Sequence, residues 1–505
     1  MFPRKCNPNR SMPSEWYQFP ESMTAPRSLS VPAAKRVPFR WQAAGLGPGL
    51  EDGGGDRDAV IGLRWSATAG TDRRDGAPAP RLRFTVALDV REEKRVEVFL
   101  ADKSGLTAEN LLAQADCSFA HCLQLYDVLL PAARTDAVLA KGILLRQSVG
   151  TSPLFLFART AGDATALSPH LLIGPGSSPS PLAALRERLS GRDVIQPFGL
   201  MEGCVLDGLH DLGDRRALEA HLNSFLPSAP PLLEYEDPTG EPVTGRVHGV
   251  EALLPFAALA LTRPDHPALR IALEFCETQA GRRSDGLIAD GELTTAGGYA
   301  AGYPLAVLAK RRVGDARLRD LAARQFTGRI AALSPEPDAA VYARTRNGKP
   351  DPGYRNWTRG VGWHLLGMAR ALPYLEEAPA AGEIRDALRR GCALAMDRQD
   401  RRSGLWFCYL DEPATGVETS GSAALAAGLA KAAALDCAPR GAMEAAARAR
   451  AALLNHLTPD GYLTGASPAD KSGPRLQKSG PRGVSPYAGG LLAQLIATTG
   501  GFARA

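Results

Sequence analysis

The chain has 505 residues, 45% of them hydrophobic and 22% charged, which is enough to build more than one buried core. Its 59 basic and 54 acidic residues leave a formal charge of +5, too thinly spread to mark a nucleic-acid binder. No run reaches the ~18 apolar residues of a membrane span, and no apolar stretch follows Arg4, Lys5 and Arg10, so a cytoplasmic protein without a membrane partner is expected.

Eight cysteines lie at 6, 117, 122, 204, 276, 392, 408 and 437. None forms a Cys-x-x-Cys pair or sits beside a histidine at zinc-site spacing, so reduced, buried thiols and no metal are expected.

Residues 1–50, rich in Pro, Ser and Arg, read as a disordered or loosely attached segment. From 51 to 175, short β-prone runs recur between turns such as Lys103-Ser104-Gly105, which predicts an antiparallel β-sandwich domain. Within it, residues 81–86 alternate polar and apolar, as a half-buried strand should. The tract 174–181, built from Gly, Pro and Ser, reads as a linker, and 176–190 as that linker plus a first outer helix.

From 190 to 505 the pattern turns helical and repeats. Glycine-marked apolar runs begin near Gly199, Gly249, Gly298, Gly360, Gly421 and Gly489, about 50 to 70 residues apart. More highly charged amphipathic segments alternate with them; in one, Leu318, Leu321 and Ala322 are followed by Phe326 at helical spacing. Six small-residue helices inside and six amphipathic helices outside predict a mostly α protein with an (α/α)6 toroid, a six-hairpin barrel, as its catalytic domain.

In a toroid the inner helices start at one end, where free N–H groups and the helix dipole favour anions. The polar residues at those starts are Glu202; His248 and Glu251; Asp290, Glu292 and Tyr299; Arg355, Trp357, Arg359, Trp363 and His364; Glu418, Thr419 and Ser422; Ser485 and Tyr487. Arg359 stands between two indoles in the octet 356–363. A guanidinium can fork onto a carboxylate and flat aromatic faces suit a sugar ring, so the octet reads as an acidic-sugar pocket or as a packed helix start. Arg344, in the loop before it, could add anion affinity. Glu418 reads either as a contact to ligand or as a cap on its helix.

Three stretches then resemble the unsaturated glucuronyl and rhamnogalacturonyl hydrolases of glycoside hydrolase families 88 and 105. Trp357-Thr358-Arg359-Gly360-Val361-Gly362-Trp363 is similar to their Trp-x-Arg-Gly-x-Gly-Trp motif. Gly404-Leu405-Trp406 with Glu418-Thr419-Ser420-Gly421-Ser422-Ala423 resembles their Gly-Leu-Trp loop and Glu-x-Ser-x-Ser-Ala helix start. Gly302-Tyr303-Pro304-Leu305-Ala306 with Gly314-Asp315 resembles their Gly-x-Pro helix and its Gly-Asp turn.

The resemblance implies an oligosaccharide substrate ending in a 4,5-unsaturated uronate, and no metal or organic cofactor. An acid protonates the enol-ether double bond, water adds at the adjacent carbon, and the hemiketal opens. That chemistry needs one carboxyl protonated at neutral pH, not the paired carboxylates of ordinary glycosidases. By position Trp357, Arg359 and Trp363 would hold the uronate, with Tyr299, His248, Arg344, His364 and Glu418 around it. Where the family places its acid this chain has Gly297 and Gly298, and its second aspartate falls on 245–248. The nearest carboxylates are Asp290, Glu292 and Glu251, which become the catalytic candidates. The alternatives are a saturated exo-uronidase of the same fold and a non-catalytic toroid that binds sugar or a partner.

Overall fold

A computed structural model describes residues 17–18, 22–24, 42–46, 60–65, 79–158, 167–173, 180–191, 194–311, 315–336 and 338–500. Most of the segment 1–50 and most of the 174–181 tract lie outside these. The contacts divide the chain into two compact units. The first holds the described residues up to 191 together with Leu457–Tyr462, and the second holds Val194–His456 and 463–500.

In the first unit the strands are β1 (Tyr17–Gln18), β2 (Ser22–Thr24), β3 (Gln42–Leu46), β4 (Ile61–Arg64), β5 (Arg81–Thr85), β6 (Arg95–Leu100), β7 (Leu111–Asp116), β8 (Leu125–Leu129), β9 (Ile143–Val149), β10 (Leu154–Ala158) and β11 (His170–Leu172). One sheet runs β2-β4-β9-β6-β7, β1-β11-β5-β8 are neighbours in a second, and β10 pairs with β3. Every pairing is antiparallel. A single core joins them, with Ile61, Leu63, Val96, Val98 and Leu145 from one sheet and Leu82, Phe84, Val128 and Leu171 from the other.

Arg83 departs from the alternation expected of β5, because it is 1% exposed. A buried guanidinium needs a charged partner, and it finds Asp460, 2.7 Å from Nη2 to Oδ1. Arg188, from the helix Pro181–Ser190, shares that carboxylate at 3.2 Å, and the Tyr462 ring lies 5.0 and 4.6 Å from the two guanidinium carbons. Both Asp460 and Tyr462 come from the hairpin 457–462, whose contacts group it with this unit.

The second unit is built from helical hairpins. We number its longer helices α1 (Leu200–Leu212), α2 (Arg215–Asn223), α3 (Pro255–Thr262), α4 (Leu269–Arg282), α5 (Tyr303–Arg311), α6 (Ala316–Leu333), α7 (Thr358–Leu375), α8 (Ala381–Asp397), α9 (Thr419–Ala434), α10 (Ala442–Leu454) and α11 (Pro486–Thr499). The odd-numbered helices are buried almost throughout, as their small and apolar residues require.

Each odd helix packs on the next: α1 on α3, α3 on α5, α5 on α7, α7 on α9, α9 on α11, and α11 back on α1. The even helices lie against them, α2 on α1, α4 on α3, α6 on α5, α8 on α7, and α10 on both α9 and α11. Glycine makes the closing contact possible. A Cβ on Gly208 would stand 2.5 Å from the Gly490 carbonyl, and one on Gly490 would stand 2.6 Å from the Cys204 carbonyl.

Of the four residues behind the amphipathic reading of α6, Leu318, Ala322 and Phe326 are buried and Leu321 is half-buried. Asp315 caps this helix by accepting the Leu318 N–H at 3.0 Å.

Candidate active site

The candidate site starts from one glycine. Gly249 precedes the short 3₁₀ turn Val250–Leu253, and the Asp290 carboxylate comes down onto the start of that turn. Asp290 Oδ2 accepts the Val250 N–H at 2.6 Å. A Cβ on Gly249 would sit 2.8 Å from the same oxygen, so only glycine lets the carboxylate reach the backbone.

Glu251 is the next residue along. It is exposed to solvent, yet protein surrounds it closely enough that burial raises its carboxyl pKa. The charge of Asp290 raises the pKa further and that of Arg344 opposes it, so both groups lie within electrostatic reach of Glu251.

His248 flanks the turn on its other side, half-buried. Its backbone N–H donates to the Tyr235 hydroxyl at 2.9 Å, and its Nδ1 lies 3.0 Å from the same oxygen. Burial lowers its pKa, against the pull of Asp237 and Asp290, and Arg246 lowers it further. The imidazole is therefore neutral at pH 7.

The loop that carries Asp290 is held from behind by α6. Arg329, fully buried, donates to the carbonyls of Thr294 at 3.0 Å, Ile288 at 2.5 Å and Gln325 at 3.1 Å. Gln325 accepts the Ile288 N–H at 2.8 Å, so the backbone before Asp290 is gripped through both its donor and its acceptor. Burial lowers the Arg329 pKa to about 10, as a guanidinium satisfied mainly by carbonyls should behave.

The remaining candidates divide by geometry. Glu292 differs from the expectation of an acid. It is exposed, and its carboxylate accepts from the Thr345 hydroxyl and, at 2.6 Å, the Asn347 N–H, where it pins the hairpin Thr345–Arg346/Lys349–Pro350. These bonds, the one from Thr345 foremost, lower its pKa, and such a carboxylate has no proton to give at pH 7. Arg344 pairs with Asp470 and lies 4.0 Å from the centre of the Tyr354 ring, while the Tyr354 hydroxyl donates to Asp470 at 2.7 Å.

Arg359 departs furthest from its expected role as a free fork for a uronate. It is 4% exposed, and both terminal nitrogens are taken. Nη1 donates to the Tyr487 hydroxyl at 2.7 Å and the Ser467 carbonyl at 3.3 Å; Nη2 donates to the Pro468 carbonyl at 2.6 Å and Gln477 Oε1 at 3.0 Å. It lies 4.8 Å over Trp357 and clamps the 467–477 loop.

Trp363 is buried, stacked on Tyr299 at 6.1 Å and tilted against Tyr487. Tyr299 is fully buried and donates to Asp207. His364 is buried too, its pKa pushed down to about 4 by burial and the nearby Arg329 charge. Glu418 acts as the helix cap: it accepts the N–H groups of Ser420 at 3.1 Å, Gly421 at 2.6 Å and Ser467 at 2.9 Å. The structure thus gathers Glu251, Asp290, His248 and Arg344, and commits Trp357, Arg359, Trp363, Tyr299 and Glu418 to packing and loop anchoring.

Sequence reasoning missed Tyr235, Gln325 and Arg329. It also missed a buried network inside the helical unit. Arg370 on α7 pairs with Asp207 at 3.0 Å and Asp211 at 2.8 Å, Lys431 on α9 reaches Asp211 at 2.7 Å, and Gln494 on α11 accepts from Arg370 at 3.0 Å. Spacing of single charges within apolar helices is the only signal that could have found these residues. Among the described residues no group of His, Cys, Asp and Glu is placed to hold a metal ion, and no helix is long and apolar enough to cross a membrane.

The helical unit has the fold class of helical glycoside hydrolases. A family 105 glycoside hydrolase from C. acetobutylicum ATCC 824 shares it with a TM-score of 0.53 at 17% identity, over 63% of this chain and 99% of that one. The model of Glycosyl Hydrolase Family 88 matches residues 302–476. An unsaturated rhamnogalacturonyl hydrolase of Bacillus subtilis is 34% identical over 108 residues, which are 21% of this chain and 31% of that protein. Protein Atu3128 of Agrobacterium fabrum is 32% identical over 167 residues, 30% of this chain and 71% of that protein. The chain belongs to glycosyl hydrolase family 88. It matches about a third of the length of the Bacillus enzyme.

Proposed function

We propose that this chain hydrolyses oligosaccharides ending in a 4,5-unsaturated uronate, with Glu251 as the acid. The closed succession of inner helices supports an (α/α)6 toroid, and the antiparallel sheets around one core support an N-terminal β-sandwich. The observation that carries the reading is Glu251: a solvent-reached carboxyl, crowded by protein, with its pKa raised by burial and by Asp290. A carboxyl in that state carries a proton at higher pH than an ordinary glutamate does.

Glu251 would give its proton to C4 of the uronate as water adds to C5, and the proton lost by that water returns to the carboxylate. The product is a hemiketal at C5, which opens and releases the remaining sugar. Asp290 sets the field around Glu251, while Arg344 and His248 face the uronate carboxylate and ring. Arg359 and the tryptophans then shape the pocket from behind.

The test is the ultraviolet absorbance of an unsaturated uronyl disaccharide, which disappears on hydration. Wild-type protein should abolish it and Glu251→Gln should not. Full turnover by Glu251→Gln excludes this acid; hydrolysis of a saturated uronide alone points to an exo-uronidase instead.

A further inference from the structure

Tyr235 lies on the strand Glu234–Glu236, is 0% exposed, and packs tilted against the rings of Phe198 at 4.8 Å and His248 at 5.5 Å. Its hydroxyl has three neighbours: the His248 N–H at 2.9 Å, His248 Nδ1 at 3.0 Å and the Arg246 carbonyl at 3.4 Å. It must accept from the N–H, so its one proton goes to Nδ1 or to the carbonyl. A contact of 3.4 Å lies at the outer limit of O–H···O bonding, whereas 3.0 Å is within ordinary range.

We propose that Tyr235 is a positioning residue of the site: its hydroxyl donates to His248 Nδ1 and so fixes the imidazole as the Nε2–H tautomer, a neutral donor for a uronate. An imidazole whose Nδ1 accepts must carry its proton on Nε2. The nitrogen remote from Tyr235 is then the one that meets ligand, and it meets it as a donor rather than as a base. The charged groups that act on this ring are Asp237, Asp290 and Arg246. A hydrogen bond donated to Nδ1 favours the neutral ring, in the same direction as burial does. The inference rests on the reading of this bowl as a uronate site.

The experiment is nitrogen NMR of the full chain with ¹⁵N-labelled histidine, the His248 signals being assigned by their absence from His248→Gln. Wild-type protein should show His248 as the neutral Nε2–H form, and glucuronate should shift its Nε2 signal. In Tyr235→Phe, which keeps the ring and its packing, the two tautomers should mix. The ring should titrate at higher pH, and the glucuronate shift should shrink severalfold. An Nδ1–H ring in wild type, an unchanged tautomer in the variant, or no response to glucuronate in wild type each overturns the proposal. Failure to consume the unsaturated disaccharide tells separately against the hydration reaction, because tautomer and binding are read without turnover.

Discussion

Glu251 ties the pH response of the site to a single carboxyl. Its pKa is raised in the folded protein, so the uncharged form is favoured there. The stabilisation belonging to that form is complete below the ordinary glutamate pKa and is lost as pH rises through the raised value. Hydration should follow the same limb: the rate holds on the acid side and falls as Glu251 loses its proton. A pH–rate profile of kcat/KM tests this, and a rate that climbs across that limb would contradict it. Glu251→Gln should lower kcat by at least about a hundredfold, the usual scale for losing a general acid.

Gly249 is the second lever at this scale. Gly249→Ala places a methyl 2.8 Å from the Asp290 oxygen, so the bond to Val250 should be lost. About 1–2 kcal/mol of stability should go with it, read by denaturant unfolding.

At the scale of elements, two buried arginines hold loops rather than ligands. Arg359 spends four hydrogen bonds on Tyr487, Gln477 and the backbone of the 467–477 loop. Arg359→Ala should therefore destabilise the protein by about 3 kcal/mol, with the Ser467 carbonyl losing its donor and the Pro468 carbonyl keeping only Gln477, and should open that loop to proteolysis. It should weaken neutral and acidic sugars alike. A loss confined to uronates, with the loop still protected, would restore the carboxylate fork.

Arg329→Met should leave the Ile288 carbonyl without its donor, take one of two donors from the Thr294 carbonyl, and loosen the loop around Asp290. Hydrogen exchange of 288–294 should rise while that of α6 changes little.

These loops mark where sequence reasoning ends. The Trp-x-Arg-Gly-x-Gly-Trp stretch identifies a residue type at a helix start, but nothing local says that residues 467–477 return to it from more than a hundred positions away. Nothing local singles out Arg329, since its partners are mainly backbone carbonyls, which carry no sequence signature. Glu292 was misread because a loop carboxylate looks alike whether it meets solvent or a hairpin's N–H groups.

Across the whole helical unit, the glycine-marked repeat was legible because each inner helix is covered on several sides and can afford only small residues where neighbours approach. The network around Arg370 was not. Its charges sit singly on helices far apart in sequence, and only the packing of α1, α7, α9 and α11 brings them together.

Burial works against an ionised Asp211, but Arg370 and Lys431 more than offset it and hold its pKa far below the usual range. That stabilisation is present above the ordinary aspartate pKa and is lost as pH falls toward the depressed one. Arg370→Met should cost about 3–5 kcal/mol by leaving buried Asp207 without its guanidinium and Asp211 with Lys431 alone, measured as a drop in denaturant midpoint at pH 7. Adding Asp207→Asn should recover part of that loss.

The glycine contact between α1 and α11 joins the earliest and the latest of the inner helices. During synthesis, every other stave of this hoop is available before its clasp arrives. A nascent chain that has released α1 through α10 still presents an unsealed apolar flank on α1 and α9 until α11 drops into place. Gly490→Val should therefore reveal itself first as poor yield and chaperone retention of newly made protein, ahead of any defect in chemistry.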